Sequence, residues 1–328
     1  MRFQRFPFSA LLAPALLAGS ASCLSAQAPG GGALPLETFA YDRAAPLELR
    51  DSLLRTEEGV EVRRISFASP RGGRAEGLLF VPRGRGPFAG VILGHGMPGN
   101  AEAFTGRALY IAKHGAVVVA LTSPGMRRGG PPLTFTPADS ADQVQWIVEL
   151  QRAVDLLVAR PDVDAARLAY VGRSYGGAMG ALFAGVERRL KTYILAVADG
   201  GLVSHFTDPG SNDPPEGFPA PREQWDRWLA AMRPIEPIRF VGRAAPASIF
   251  FQFARQDQLV SAADAEEIQA AFPGEKTVTW YDTPHALNAQ AHVDQLAWLS
   301  RTVGTTPPGP EDAAGPQIPP PPAPRPQE

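Results

Sequence analysis

The ten residues LAYVGRSYGG, at positions 168–177, decide how the rest of the chain is interpreted. An apolar run, Leu168–Val171, has the composition of a buried strand, and residues 178–186, rich in alanine and glycine, are typical of a closely packed helix. Between them lies G-x-S-x-G, centred on Ser174. A glycine-rich turn whose serine caps a helix is one interpretation. The strand before the motif and the helix after it favour the other, a nucleophile elbow that exposes the hydroxyl of Ser174.

Apolar runs bounded by turn residues predict seven more strands around this one. Stretches with helical spacing separate the later strands, which is the alternation of a parallel sheet covered on both faces. The first two strands have no helix between them and are expected to be antiparallel. The sequence therefore predicts an α/β fold with a doubly wound, mostly parallel, eight-stranded sheet. Its predicted strands are Val60–Ser69, Ala75–Val81, Phe88–Leu93, Ala116–Leu121, Leu168–Val171, Thr192–Val197, Ala247–Phe253 and Thr277–Tyr281.

The N-terminal residues predict export from the cell. Two arginines within the first five residues precede an apolar run at 6–18 and a stretch of small residues. This order is typical of a secretory signal peptide, which we assign to residues 1–26. The apolar run is too short to span a bilayer, so we expect no membrane span in the mature protein and a periplasmic or secreted location. The alternative is a lipoprotein attached through Cys23, the single cysteine of the chain.

Composition divides the remaining chain into a leader at 27–50, a domain at 51–304 and a proline-rich tail at 305–328, expected to be disordered. The formal net charge of −2 does not indicate the excess of basic residues that nucleic-acid binding requires. Within the domain, residues 201–243 are longer than an ordinary connection between strands. They contain Trp225 and Trp228, and they are interpreted either as a lid insertion over the strand ends or as a surface excursion that packs these tryptophans.

An acid and a base follow Ser174 in the order that an elbow requires. Asp257 comes after the predicted strand 247–253, and His285 comes after the next one. Both positions lie at the carboxyl ends of strands, which is where open α/β sheets have their active sites. A neutral imidazole can take the proton of the serine, and a carboxylate fixes its tautomer. Two other aspartates, Asp199 and Asp282, also end strands and remain alternatives for the acid.

Backbone amides near Ser174 are candidates for an oxyanion hole. The turn after strand 88–93 supplies the amide of Met97, and Tyr175 follows the serine directly. His95, in the same turn, is expected to hold the loop by hydrogen bonds. Arg173 and His205 are candidates for substrate binding, whereas His292, on the predicted final helix, is expected at the surface. No group of histidines, acids and cysteine has the spacing of a zinc or calcium site, so the sequence predicts no metal site.

Together these motifs resemble serine hydrolases of the α/β-hydrolase superfamily, in the dienelactone-hydrolase-like and acylaminoacyl-peptidase-like branch. The resemblance covers about residues 60–303, and a serine stands where dienelactone hydrolases have cysteine. It implies a Ser174–Asp257–His285 triad and the hydrolysis of small carboxylic esters through an acyl-enzyme, without a cofactor. The alternatives are a small peptidase or amidase with the same machinery and a non-catalytic binding protein. The motifs that carry the resemblance are His95-Gly96, Asp164-x-x-Arg167, Gly172-x-Ser174-x-Gly176-Gly177, Asp257-x-x-Val260 and Pro284-His285.

Overall fold

A computed structural model describes residues 32–208, 210–218 and 220–316. The predicted signal peptide and the last part of the predicted tail, 317–328, lie outside the described residues. The described part of the predicted leader packs against the domain. A short 3-10 helix, Leu36–Phe39, buries Phe39 with its ring 5.7 Å from that of Phe240, in an edge-to-face contact.

The described residues form one mostly parallel sheet of nine strands, in the order β1-β2-β3-β5-β4-β6-β7-β8-β9. The pairs β1–β2, β2–β3 and β3–β5 are antiparallel, and all pairs from β5 to β9 are parallel. This confirms the predicted fold class and the antiparallel start. The strands are β1 Arg50–Glu57, β2 Val60–Ala68, β3 Arg74–Pro82, β4 Phe88–Gly94, β5 Ala116–Thr122, β6 Val163–Arg173, β7 Thr192–Ala196, β8 Ser248–Ala254 and β9 Lys276–Tyr281.

The predicted count of eight strands is wrong, because β1 was missed. This edge strand, Arg50–Glu57, is exposed along nearly its whole length and pairs on one side with β2. Its sequence, RDSLLRTE, lacks both the apolar run of a buried strand and a clean alternation. Its pairing comes from the backbone of β2, which a search for apolar patterns does not detect.

Helices cover both faces of the sheet and bury two apolar clusters. The helices are α1 Thr105–Ala112, α2 Pro124–Arg127, α3 Ala138–Val158, α4 Tyr175–Val186, α5 Leu202–Phe206, α6 Arg222–Met232, α7 Ile238–Val241, α8 Ala262–Ala270 and α9 Ala289–Val303. Tyr170 faces the cluster that contains α3 and α4, whereas its neighbour Val171 faces the cluster that contains α1 and α9. This alternation places residues 169, 171 and 173 of β6 on the same face as α1 and α9.

The insertion at 201–243 contains α5, α6 and α7, and its two tryptophans are fully buried. Trp225 and Trp228 stack with ring centroids 4.9 Å apart, and the indole of Trp228 donates to Asp139 Oδ2 at 3.0 Å. Asp139 belongs to α3, so the tryptophans join the insertion to the core of the domain. This is the packing role that the sequence offered as one interpretation. A role of the segment as a lid stays a prediction.

The expectation of a disordered tail from residue 305 is wrong for its first part. Residues 310–314 form a 3-10 helix that packs against α9 and is hydrogen-bonded to Tyr110 of α1. The hydroxyl of Tyr110 donates to the carbonyl of Asp312 at 3.1 Å, and His114 Nε2 lies 3.1 Å from Asp312 Oδ2. The amide of Thr306 also donates to the carbonyl of His114, at 2.7 Å. Polar contacts hold this segment, which explains why an argument from its lack of apolar residues failed.

None of the helices in the described part of the chain combines the length and the apolar composition needed to cross a bilayer.

Candidate active site

Ser174 lies on a strained turn between β6 and α4. Its backbone has φ 54° and ψ −123°, a conformation that residues with a side chain rarely adopt. Two hydrogen bonds hold it there: the amide of Ser174 donates to the carbonyl of Ala196 at 2.8 Å, and the amide of Ala178 donates to the carbonyl of Ser174 at 2.9 Å. The strain is thus supported by β7 on one side and by the first turn of α4 on the other.

The glycines of the motif are required by the close approach of three backbone segments. A β-carbon on Gly172 would stand 2.2 Å from the carbonyl oxygen of Gly176, and one on Gly176 would stand 2.2 Å from that of Gly94. These obstacles are backbone atoms, which cannot swing aside as a flexible side chain can. The buried hydroxyl of Tyr170 donates to the carbonyl of Gly176 at 2.6 Å and fastens α4 to the strand beneath it.

Asp257 and His285 lie in direct contact. Nδ1 of His285 is 2.9 Å and 2.8 Å from the two carboxylate oxygens of Asp257. Asp257 Oδ1 also accepts from the amides of Leu259 at 2.8 Å and Val260 at 3.0 Å. Burial alone would raise the pKa of Asp257, but these hydrogen bonds outweigh it and hold the pKa below its ordinary value. An ionised Asp257 requires the proton of a neutral His285 to sit on Nδ1, which leaves Nε2 as an acceptor.

The loop that carries His285 is fastened to the elbow. Arg173, the residue before Ser174, donates from Nη2 to the carbonyl of His285 at 3.1 Å. Nε2 of His285 is buried and has no hydrogen-bond partner among the described residues. A buried ring nitrogen that is free to accept is what a general base needs before substrate arrives.

The turn after β4 lies against the elbow. A β-carbon on Gly96 would stand 3.4 Å from Cβ of Ser174 and 3.4 Å from Nη1 of Arg173. Met97 follows Gly96 directly, and Tyr175 is the first residue of α4, so its amide has no acceptor within the helix. The two amides predicted to form an oxyanion hole therefore belong to segments that meet at Ser174. Their role stays a prediction.

His95 holds this turn in place. Its Nδ1 donates to the carbonyl of Gly96 at 2.9 Å, and its Nε2 accepts from the amide of Ser123 at 3.0 Å. Burial lowers the pKa of His95 to about 4, so the ring is neutral and can do both. These bonds match the structural role expected from the sequence.

The two alternative acids have other partners. Asp199 Oδ1 accepts from the amide of Gly201 at 3.1 Å, and its Oδ2 lies 2.8 Å from Nδ1 of His205. Asp282 is exposed and accepts from Gln256 at 2.8 Å. Of the three candidate carboxylates, the structure brings Asp257 to His285. His205, a candidate for substrate binding, is joined to Asp199 at the start of the insertion.

Two residues near the elbow were missed or misplaced by sequence reasoning. His292 was expected at the surface, yet it is only 5% exposed, and burial together with the charge of Arg107 lowers its pKa to about 4. A signal existed, since His292 lies four residues before Leu296 and seven before Leu299 on the buried stripe of α9. Arg107, in the first turn of α1, has no comparable signal in the sequence.

No group of three or more His, Cys, Asp or Glu side chains in the described ranges is arranged to hold a metal ion.

A mostly parallel sheet with a serine elbow after a central strand, together with an acid and a histidine after the next strands, defines the α/β-hydrolase fold. The chain matches no protein-family model and no curated protein. Solved structures with this fold do match it. The acetyl xylan esterase from Paenibacillus sp. R4 is 20% identical, with a TM-score of 0.64 over 79% of this chain and 90% of that one.

Two further structures give the same result. Acetyl xylan esterase 1 from Thermoanaerobacterium sp. JW/SL YS485 is 15% identical, with a TM-score of 0.59 over 78% of this chain and 90% of that one. A putative dienelactone hydrolase from Klebsiella pneumoniae is 18% identical, with a TM-score of 0.51 over 73% of this chain and 99% of that one. At these identities the likeness establishes the fold, which is the fold that the sequence motifs predicted.

Proposed function

We propose that the protein is a serine hydrolase that cleaves small carboxylic esters through an acyl-enzyme. The observation that carries the proposal is the contact of His285 Nδ1 with Asp257, which leaves a buried and unpartnered Nε2 on a loop bonded to the elbow of Ser174. Acetyl xylan esterases among the structures with this fold favour an ester substrate over an amide.

The proposed reaction uses each group at a stated atom. Ser174 Oγ attacks the carbonyl carbon of the ester while its proton passes to His285 Nε2. Negative charge on the carbonyl oxygen is met by the amides of Met97 and Tyr175. His285 then returns the proton to the leaving alcohol, and an acyl group remains on Ser174. Water, deprotonated by the same Nε2, releases the acid and restores the serine.

The ionised state of Asp257 supports this sequence of proton transfers. Its negative charge stabilises the imidazolium that forms when His285 takes the proton, and its contact with Nδ1 leaves Nε2 free to accept that proton. The proposal includes export, with the signal peptide at 1–26 removed, and it needs no cofactor or metal ion.

The test is a substrate panel with the full-length mature protein. We expect turnover of 4-nitrophenyl acetate and 4-nitrophenyl butyrate that Ser174→Ala abolishes. Matched aminoacyl 4-nitroanilides report on the peptidase alternative. Faster cleavage of the anilides than of the esters would replace the esterase by an amidase. Absence of turnover on both series in a folded protein would favour the binding protein.

A further inference from the structure

The side of the elbow opposite α3 and α4 gathers positive charge. Arg173 is the last residue of β6, and the alternation of that strand directs it to the same face as Val171, which packs with α1 and α9. Arg107 lies in the first turn of α1, and His292 lies in the first turn of α9. Both helices follow strands whose carboxyl ends form the edge of the sheet that carries Ser174. Two arginines and a buried histidine thus lie on the face of the sheet beside the predicted nucleophile.

Arg107 has no carboxylate partner among the described residues. In the described part of the chain its single recorded contact is with the ring of Phe104, whose centroid lies 4.8 Å from the guanidinium carbon. Burial and the nearby charge of Arg173 lower its pKa to about 10, which leaves the guanidinium charged at neutral pH. Buried charges in proteins are ordinarily paired, so a partly buried guanidinium without a carboxylate is costly for the fold alone.

Arg173 is only partly satisfied. Its Nη2 donates to the carbonyl of His285, but its Nε is buried and lacks a partner among the described residues. Its Nη1 lies close to Gly96, on the same side as Cβ of Ser174. Donors on this side chain therefore remain available within a few ångströms of the serine.

The protein groups facing these arginines do not neutralise them. Asp257 is the carboxylate whose charge reaches Arg173, and it is already occupied by His285 and by two backbone amides. His292 is buried, and the charges of Arg107 and Arg173 disfavour its protonation. Among the described residues, no carboxylate is left to neutralise the charges of Arg107 and Arg173.

We propose that Arg107 and Arg173 bind an anionic oxygen group of the substrate, a carboxylate or a phosphate, so that the preferred ester is itself an anion. This rests on the proposed ester hydrolysis at Ser174. The planar guanidinium offers paired donors that match the two oxygens of a carboxylate or phosphate. Arg173 holds the His285 loop as well, so the anion is placed next to the reacting groups.

The experiment compares kcat/KM for matched charged and neutral esters. The pair 4-acetoxybenzoate and 4-acetoxybenzamide places the charge on the leaving alcohol. The mono-4-nitrophenyl ester of adipic acid and its terminal amide place the charge on the acyl group. The compound 4-acetoxyphenyl phosphate tests phosphate in place of carboxylate. We expect a charged member to be preferred in at least one series.

The variant Arg107→Gln is expected to lower this charged-to-neutral ratio by about ten- to a hundredfold, as for the loss of one hydrogen bond to a charged group. Arg301→Gln is the matched control: Arg301 also lies over an aromatic ring, Trp298 at 5.5 Å, but it is exposed and lies in the last turn of α9, about 14 Å along the helix from His292. This control should leave the ratio unchanged. Melting temperatures of both variants establish that they are folded.

A separate binding measurement distinguishes this inference from the proposed function. The melting temperature of Ser174→Ala is recorded with 4-hydroxybenzoate, inorganic phosphate or 4-hydroxybenzamide. Stabilisation by an anion that Arg107→Gln removes supports the anion site even if no ester is turned over. Equal kcat/KM for charged and neutral esters, with no stabilisation by either anion, overturns the inference while leaving an esterase in place.

Discussion

Glu236 makes the stability of the protein depend on pH in a direction that can be measured. Its side chain is buried at the base of the insertion, where it accepts from the amides of Val203 at 2.9 Å and Ser204 at 3.2 Å. Burial raises its pKa from 4.5 to about 7, against the effect of these hydrogen bonds, and the charge of Asp199 adds to the rise. The change to test is Glu236→Gln, which removes the titration.

The magnitude follows from linkage. The difference between 4.5 in the unfolded chain and about 7 in the folded protein corresponds to about 3 kcal/mol at 1.36 kcal/mol per pH unit. Because the folded pKa is raised, the folded state holds the proton more tightly. The stabilising contribution is therefore complete below pH 4.5 and is lost as the pH rises to about 7. Above that pH it no longer changes.

The assay is urea unfolding of the wild type and Glu236→Gln at several pH values between 4.5 and 8. Taking the difference between the two proteins cancels the titration of other groups. We expect the free energy of unfolding of the wild type to fall relative to that of Glu236→Gln by about 3 kcal/mol over this range. Ser204→Ala, which removes a hydroxyl that donates to Glu236 at 3.1 Å, should increase the loss. A difference that stays constant with pH would refute the argument.

Two further predictions concern the acid and the tail. Asp257 and Asp199 each lie 2.8 Å from Nδ1 of a histidine, so Asp257→Asn and Asp199→Asn form a matched pair. We expect ester turnover to fall by about 10⁴ in Asp257→Asn and by much less in Asp199→Asn. The reverse order would make Asp199 the acid. Truncation after residue 304 should lower the melting temperature by several degrees, because Tyr110 and His114 lose Asp312 as a partner. Truncation after residue 316 is the control, and equal melting temperatures of the two truncated proteins would show that residues 305–316 add nothing to stability.

The elbow could be predicted because its determinants are local. The strand before Ser174, the helix after it and the glycines between them are adjacent in sequence, and each is needed by the same tight turn. Asp257 and His285 could be predicted because the carboxyl ends of parallel strands share one edge of the sheet. Chain order alone then suffices to bring distant residues near one another.

What could not be predicted depends on contacts between distant segments. Strand β1 is exposed, and its extended conformation depends on backbone pairing with β2. Asp312 is buried and hydrogen-bonded to Tyr110 and His114, which composition does not reveal. The convergence of Arg107, Arg173 and His292 requires knowing that α1 and α9 cover the same face of β6. Each case is a tertiary contact without a local pattern.

The proposed mechanism requires Ser174 to be a nucleophile. The most direct measurement is the mass of the protein after reaction with a fluorophosphonate, followed by mapping of the modified residue. We predict one covalent adduct on Ser174, formed more slowly in Asp257→Asn and absent in Ser174→Ala. Labelling that persists in folded Ser174→Ala, or a wild-type protein that remains unlabelled, would contradict the proposed mechanism.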